Sequence, residues 1–172
     1  MALLRRRTAM PDAVRARLDL PRGDRVIAAA ELTDGWAAAS VHALHVVTGD
    51  SSDATVLRRP WSEVDGARLN AESAALTVTW VDGRAPTVLH LADDRAIALP
   101  RAVHDRVQSS VVHTERVTLP SGAVVRVALR RTADGVLLTQ VLGTGDVDLN
   151  DPGTAAAVDA VEARVRETVG LH

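Results

Sequence analysis

Apolar and polar residues alternate with period two in short stretches along most of the chain, and turn signals separate the stretches. Arg25 to Leu32 reads as a first strand, with Thr33-Asp34-Gly35 as a tight hairpin turn. Trp36 to Ser40 and Ala43 to Thr48 follow as two more strands, and Gly49 to Thr55 reads as a polar loop. A second group opens at Trp61. It holds Val64 to Asn70, the polar break Ala71-Glu72-Ser73, and Ala75 to Val81, where Leu76, Val78 and Trp80 share one face and Thr77 and Thr79 the other. Asp82-Gly83 turns the chain, and Thr87 to Leu91 returns. The last third predicts a three-stranded meander: Glu115 to Leu119, Val124 to Arg130 and Val136 to Leu142, joined by turns at Pro120-Ser121-Gly122 and Ala133-Asp134-Gly135.

Three segments change to helical spacing. Pro11 to Leu18 predicts a short helix with Val14 and Leu18 on one face, ended by Leu20-Pro21-Arg22-Gly23-Asp24. From Leu99-Pro100 to about Val112, Val103, Val107 and Val111 form one stripe, with Arg101, His104, Asp105 and Gln108 elsewhere. Asp151 is a good N-cap, Pro152 suits the first helical position, and Gly170 suits the C-terminal stop. Between them Val158, Val161, Val165 and Val169 make a stripe, and Glu162 with Arg166 a favourable i,i+4 pair. No segment has a twin elsewhere. The expected class is α+β, a mostly antiparallel and partly open sheet system capped by a helix, then a meander and a last helix.

Composition narrows the chemistry more than the fold. The 172 residues suit one domain or one domain with an appendage, and 47% hydrophobic with 24% charged residues is ordinary. Phe, Tyr, Cys and Lys are absent, so Val, Ala and Leu fill the core and Arg supplies all fixed positive charge, a bias resembling that of high-GC genomes. Without cysteine there is no disulfide, thiol nucleophile or cysteine metal site, which fits a cytoplasmic protein. Met1 to Arg7 begins like a basic leader, but Thr8 to Asp12 supplies no hydrophobic continuation, and no apolar run reaches membrane-span length. The net charge of −2 argues against nucleic acid as a partner. The ends differ: residues 1–25 carry a net of +4 and residues 143–172 a net of −4. Two solvated ends are the simple reading; a basic arm of Arg5, Arg6 and Arg7 on acidic lipid is the sharper one.

The strands of 25–91 followed by the helix near 100–112 resemble a bacterial pleckstrin-homology-like domain of the actinobacterial type. Arg59-Pro60-Trp61-Ser62-Glu63-Val64-Asp65 is similar to the Trp-acid-hydrophobic pattern that opens the second sheet of that family. Gly23-Asp24-Arg25-Val26-Ile27-Ala28, with the Trp36 strand, is similar to its first hairpin. The resemblance spans about residues 20–113 and implies a seven-stranded fold, where the pattern gives six strands unless Val56-Leu57 adds one. It also implies a binding or scaffolding module. Relatives that bind phosphoinositides carry spaced basic residues in the first hairpin loop; here Thr33-Asp34-Gly35 is short and acidic, so lipid binding does not carry over. The tail has the α-β-β-β-α order of double-stranded-RNA-binding domains, but Asn150-Asp151-Pro152-Gly153-Thr154 would repel phosphate where those domains are basic. The resulting division is an arm with a short helix at 1–22, a PH-like unit at 23–113, and a meander plus helix at 114–172 packed on the same body.

Each cluster that could carry chemistry has a simpler explanation. Asp146, Asp148 and Asn150 match the first ligands of a calcium loop, yet Asp151 stands where Gly is needed and Ala157 where a bidentate Glu is needed. Gly143-Thr144-Gly145 lacks the third glycine of a dinucleotide fingerprint and leads into acids. His42 and His45 are split by a turn near Val41; His90 points away from Leu89 and Leu91; His104 lies on a polar helix side. All are read as surface residues or satisfied hydrogen-bond partners. Asp93-Asp94 has no neighbouring nucleophile, and Ser109, Ser110 and Ser121 lie in no nucleophile motif. Trp36, Trp61 and Trp80 are assigned to the core, with Trp61, after Arg58-Arg59-Pro60, the candidate for stacking on a ligand. The chain is therefore read as non-enzymatic, with no catalytic, cofactor or metal residue assigned and no cofactor. It is an interaction module that binds protein or itself; a lipid-surface protein and a small enzyme with an unremarkable site are the alternatives. Residues 1–10 are expected to be dispensable and the last helix integral.

Overall fold

The computed structural model describes residues 9–49, 54–143, 147–148 and 150–170. It is α+β, with three antiparallel sheets, three α-helices and no closed barrel. The first sheet holds β1 (Val26–Leu32), β2 (Gly35–Ser40), β3 (Ala43–Thr48) and β4 (Thr55–Pro60) in that order. The second holds β5 (Val64–Asn70), β6 (Ala75–Trp80) and β7 (Thr87–His90), and the third orders β8 (Val111–Thr118), β9 (Val124–Arg131) and β10 (Leu137–Gly143) as β10-β9-β8. The helices are α1 (Asp12–Arg17), α2 (Ala98–Ser110) and α3 (Pro152–Thr168). Gly35 closes the first hairpin because a Cβ there would overlap the Val47 carbonyl.

The first two sheets meet at two corners. At one, Ala92 N–H donates to Glu31 O and Thr33 N–H to His90 O. At the other, a 3₁₀ turn at Trp61–Glu63 carries the chain from β4 into β5. Ala37, Ala39, Leu44 and Val46 of the first sheet pack against Leu76, Val78 and Trp80 of the second, and α2 adds Leu99, Val103 and Val107. The other face of the first sheet is also covered. Leu18, just past α1, packs on Ala38 and Val47, with Met10, Val14 and Leu20 around it. That second cover explains why β2 from Trp36 and β3 through Val47 are buried residue after residue instead of alternating. In the third sheet Val127 and Leu129 pack against Val161 and Val165 of α3. Asp151 caps α3 by accepting the Thr154 N–H at 2.8 Å, a bond that holds its carboxyl below the usual range.

Two expectations change. A fourth strand, Thr55–Pro60, includes the Val56-Leu57 strand that the pattern left open and runs on through Pro60; β3 alone pairs with it, so its polar Arg58 and Arg59 and its terminal Pro60 are tolerated at an edge. β8 begins at Val111, four residues before the predicted strand, so Val111 leaves the α2 stripe and is only half-buried. The expected short helix is present as α1, and Met10, Val14 and Leu18 seal a sheet face. Residues 1–8, including Arg5, Arg6 and Arg7, lie outside the described residues. No helix among the described residues is long and apolar enough to cross a membrane.

Trp80 is 6% exposed in the same cluster as Val103 and Val107, and its indole N–H donates to Thr87 Oγ1 at 3.1 Å. Trp80→Ala is therefore expected to cost ~3–5 kcal/mol in urea melts. A loss below about 1 kcal/mol would contradict a packed role for this indole.

Candidate functional site

Two places bring polar side chains together, and both begin with a β-bulge. In β5 the register jumps from Val64 to Gly66, so Asp65 has no partner on β6. An unpaired bulge residue is re-aimed, and Asp65 turns from the core toward the third sheet. On β9, Val125, Val127 and Leu129 face α3, while Arg126, Ala128 and Arg130 face the other way. Arg130 is 1% exposed. Its guanidinium donates to Val64 O at 2.8 Å, Ser110 Oγ at 3.0 Å and Trp61 O at 3.4 Å, and stands 3.5 Å from Asp65. Arg126 contacts the same Asp65 oxygen, and Gln140 on β10 donates to Ser62 O at 2.7 Å. Burial pulls the Arg130 pKa down and Asp65 pushes it back up, from a starting value high enough to keep the charge. Arg130 Nε has no partner.

The second place lies along the outer edge of β1, from Val26 to Ala30, which pairs with no other strand among the described residues. Its register jumps from Val26 to Ala28, which leaves Ile27 unpaired and 38% exposed. Because the Glu31 carbonyl points outward to Ala92, the alternation of an antiparallel ladder points the groups of Ala29 outward too. Beside this edge runs α2, whose N-cap residue is Ile97, 62% exposed and unable to cap because it has no side-chain acceptor. A groove of about 620 Å³ separates strand from helix, lined by Ile27, Ile97, Arg101, Ala102, Asp105 and Arg106. It continues past Glu31, Asp93 and Arg95. Neither Arg101 nor Arg106 has a carboxylate within 4.0 Å among the described residues.

The residues singled out in the sequence do not converge on either place. His90, His104, Asp93 and Asp94 are exposed and apart. Asp148 takes both N–H groups of Asn150, at 2.9 and 3.1 Å, while Asp146, Thr144 and Gly145 lie outside the described residues. Among the described residues no three metal-binding side chains cluster. Trp61 is 4% exposed, with its indole donating to Ser40 O at 3.1 Å, a core position that leaves no ring face for a ligand. Ser110 proves to be a buried acceptor for Arg130. Arg130 and Asp65 were missed; the alternation of Arg126 and Arg130 with Val127 and Leu129 marks a polar face, which reads as solvent-facing without the second layer.

Of the two readings given to the histidines, His45 takes the hydrogen-bonded one and not the surface one. It is fully buried on β3, with Nε2 3.1 Å from Ser40 Oγ and no partner at Nδ1. Ser40 in turn donates to Asp24 at 2.8 Å. The hydroxyl thus lies between imidazole and carboxylate, whereas a catalytic triad needs the imidazole in the middle, and Ser40 is inaccessible. Burial first, then the Arg58 charge, lowers the His45 pKa, with Asp24 opposing. Unfolded His45 takes up a proton near pH ~6.5 that the folded imidazole still refuses. Stability is therefore full above that pH and falls as the pH drops through this window toward the lowered folded value. Urea melts between neutral and mildly acidic pH should show this slope, and His45→Gln should flatten it. A slope unchanged in the variant would assign it to other groups.

Arg130→Ala leaves Val64 O and Ser110 Oγ without their guanidinium donor in a buried place, and Asp65 with Arg126 alone. The expected cost is ~3–5 kcal/mol by chemical denaturation. A loss under about 1 kcal/mol would show that the two layers do not depend on this contact.

No protein-family model, curated protein or solved structure matches the chain.

Proposed function

We propose that residues 26–110 form a pleckstrin-homology-like unit that serves as a non-enzymatic interaction module, with a second copy of the chain docking along β1 and α2. Support for the first part is the element order: four strands, three strands and one helix, with β4 supplying the strand missing from the sequence pattern. Contacts of α2 with both β1 and β5 place the helix across the opening between the sheets. The third sheet and α3 then act as a cover on that body, tied to it through Arg130 and Gln140.

The docking reading is carried by the polarity of the groove. Among the described residues Arg101 and Arg106 outnumber Asp105 at the Ile27 end, and Glu31 and Asp93 outnumber Arg95 at the other end. A two-fold axis that sets two β1 edges antiparallel brings the basic end of each copy to the acidic end of the other, the self-complementarity an isologous contact requires. Exposed Ile27 and Ile97 supply apolar area, and the outward groups of Ala29 supply main-chain hydrogen bonds. Within β1 only Glu31 is charged and there is no Pro, so the strand carries little to keep another edge away.

Sedimentation analysis across the micromolar range is expected to show a reversible dimer that weakens with salt. Ile97→Asp should give a monomer with little change in melting temperature, since Ile97 is 62% exposed and the substitution puts charge in the contact. A chain that stays monomeric at the highest concentration, or an association indifferent to Ile97→Asp, would overturn the reading.

A further inference from the structure

The face that the third sheet turns toward Asp65 holds more positive charge than the fold uses. Arg116 on β8 stands directly opposite Arg126 on β9, and like charges in that relation repel. Arg126 is 36% exposed, so water screens it only in part. Its one carboxylate, Asp65, is shared with the fully buried Arg130. Among the described residues no carboxylate lies within 4.0 Å of Arg116. Among the described residues three guanidiniums thus answer to a single carboxylate, an excess of two positive charges.

A cleft of about 380 Å³ opens at this point between the second and third sheets, lined by Asp65, Trp80, Val81, Arg116, Arg126 and Leu142. We infer that the cleft binds a small, soluble phosphate monoester, its phosphate held between Arg116 and Arg126. An excess of two positive charges is the complement of a phosphate monoester, which carries ~1.5–2 negative charges at neutral pH. The planar guanidinium fork gives paired, charge-assisted bonds to phosphate oxygens. Val81 and Leu142 offer an apolar wall for the organic part, with the buried Trp80 behind them, the usual balance of a small-molecule site. The site lies between two layers, which favours a free molecule over a headgroup anchored in a bilayer.

The arrangement differs from a structural ion pair in one respect. A purely structural role for Arg126 requires Asp65 and nothing opposite, whereas Arg116 adds repulsion without gaining a partner. Its presence is explained if an anion bridges the two. Among the described residues Arg116 makes no side-chain hydrogen bond or ion pair that holds the layers together, so its replacement separates binding from folding.

The test titrates the full chain with inorganic phosphate and with phenyl phosphate, at ionic strength held constant with sodium chloride. The readout is the indole N–H signals of the three tryptophans by NMR. A saturable shift is expected at Trp80, with Trp36, which belongs to neither layer of the cleft, unmoved. Arg116→Gln should raise the dissociation constant about tenfold or more, and without ligand it should leave the melting temperature equal or higher. A parallel arm offers vesicles containing phosphatidic acid. No saturable response to either soluble phosphate, an equal response to chloride, an affinity unchanged in Arg116→Gln, or a response to the vesicles alone would each overturn the inference.

Discussion

A guanidinium with almost no contact with water must find its acceptors within the protein, and Arg130 sets the arrangement of the chain around that demand. It draws on the 3₁₀ turn through Trp61, on the start of β5 through Val64, on the end of α2 through Ser110, and on the bulge through Asp65. Each of these groups lies more than nineteen positions from Arg130 along the chain. None is strong alone. Together they fix how the third sheet sits on the first two, because a sideways slip would leave a buried charge without partners. The bulge at Asp65 matters for the same reason, since a regular strand would have spent that residue on a ladder pair.

The first sheet answers a different constraint. Its β1 and β2 strands are rich in alanine, and Ala28 to Ala30 pair with Ala39 to Ala37. Small side chains cannot fill a thick core, so covering layers must approach closely on both faces. On one face the second sheet and α2 bring Leu76, Val78 and Trp80; on the other Leu18 and its neighbours descend onto Ala38. The short segment from Met10 to Leu20 thereby packs against the core. Burial of His45 follows from the same cover, which shuts water out above Ser40 and leaves one ring nitrogen without a partner.

Local signals made most elements legible. Alternation at Leu76, Val78 and Trp80 placed β6, Asp151-Pro152 placed the start of α3, and the turn glycines separated the hairpins. What could not be read was decided by contacts across long separations. β4 carries Arg58, Arg59 and Pro60, a poor strand by composition, and exists because β3 offers it an edge. Val111 fits the helical stripe, yet Arg130 opposite it in β9 claims it for a strand. The polar face of β9 gives the same pattern whether it meets water or a second layer, so neither Arg130 nor the charge excess around Arg116 could be recognised from the alternation. Ile27 and Ile97 were equally silent, because isolated exposed apolar residues are common and only the groove between them gives them a joint meaning.

The groove and the interlayer cleft are both reached by α2. At its start Arg101 and Asp105 line the groove, and at its end Ser110 accepts from Arg130 beside Asp65. Its thirteen residues span roughly 20 Å, a rigid link between the two. A rigid link couples two sites only when it has two seats to choose between. Here Leu99, Val103 and Val107 are buried along one side of α2, and a close-packed interior offers that stripe a single position. Moving the helix would also strip Ser110 from a guanidinium that already lacks a partner at Nε. The physical expectation is therefore independence: filling the cleft neutralises Arg116 and Arg126 locally, and the edge of β1 keeps the same shape and the same polarity.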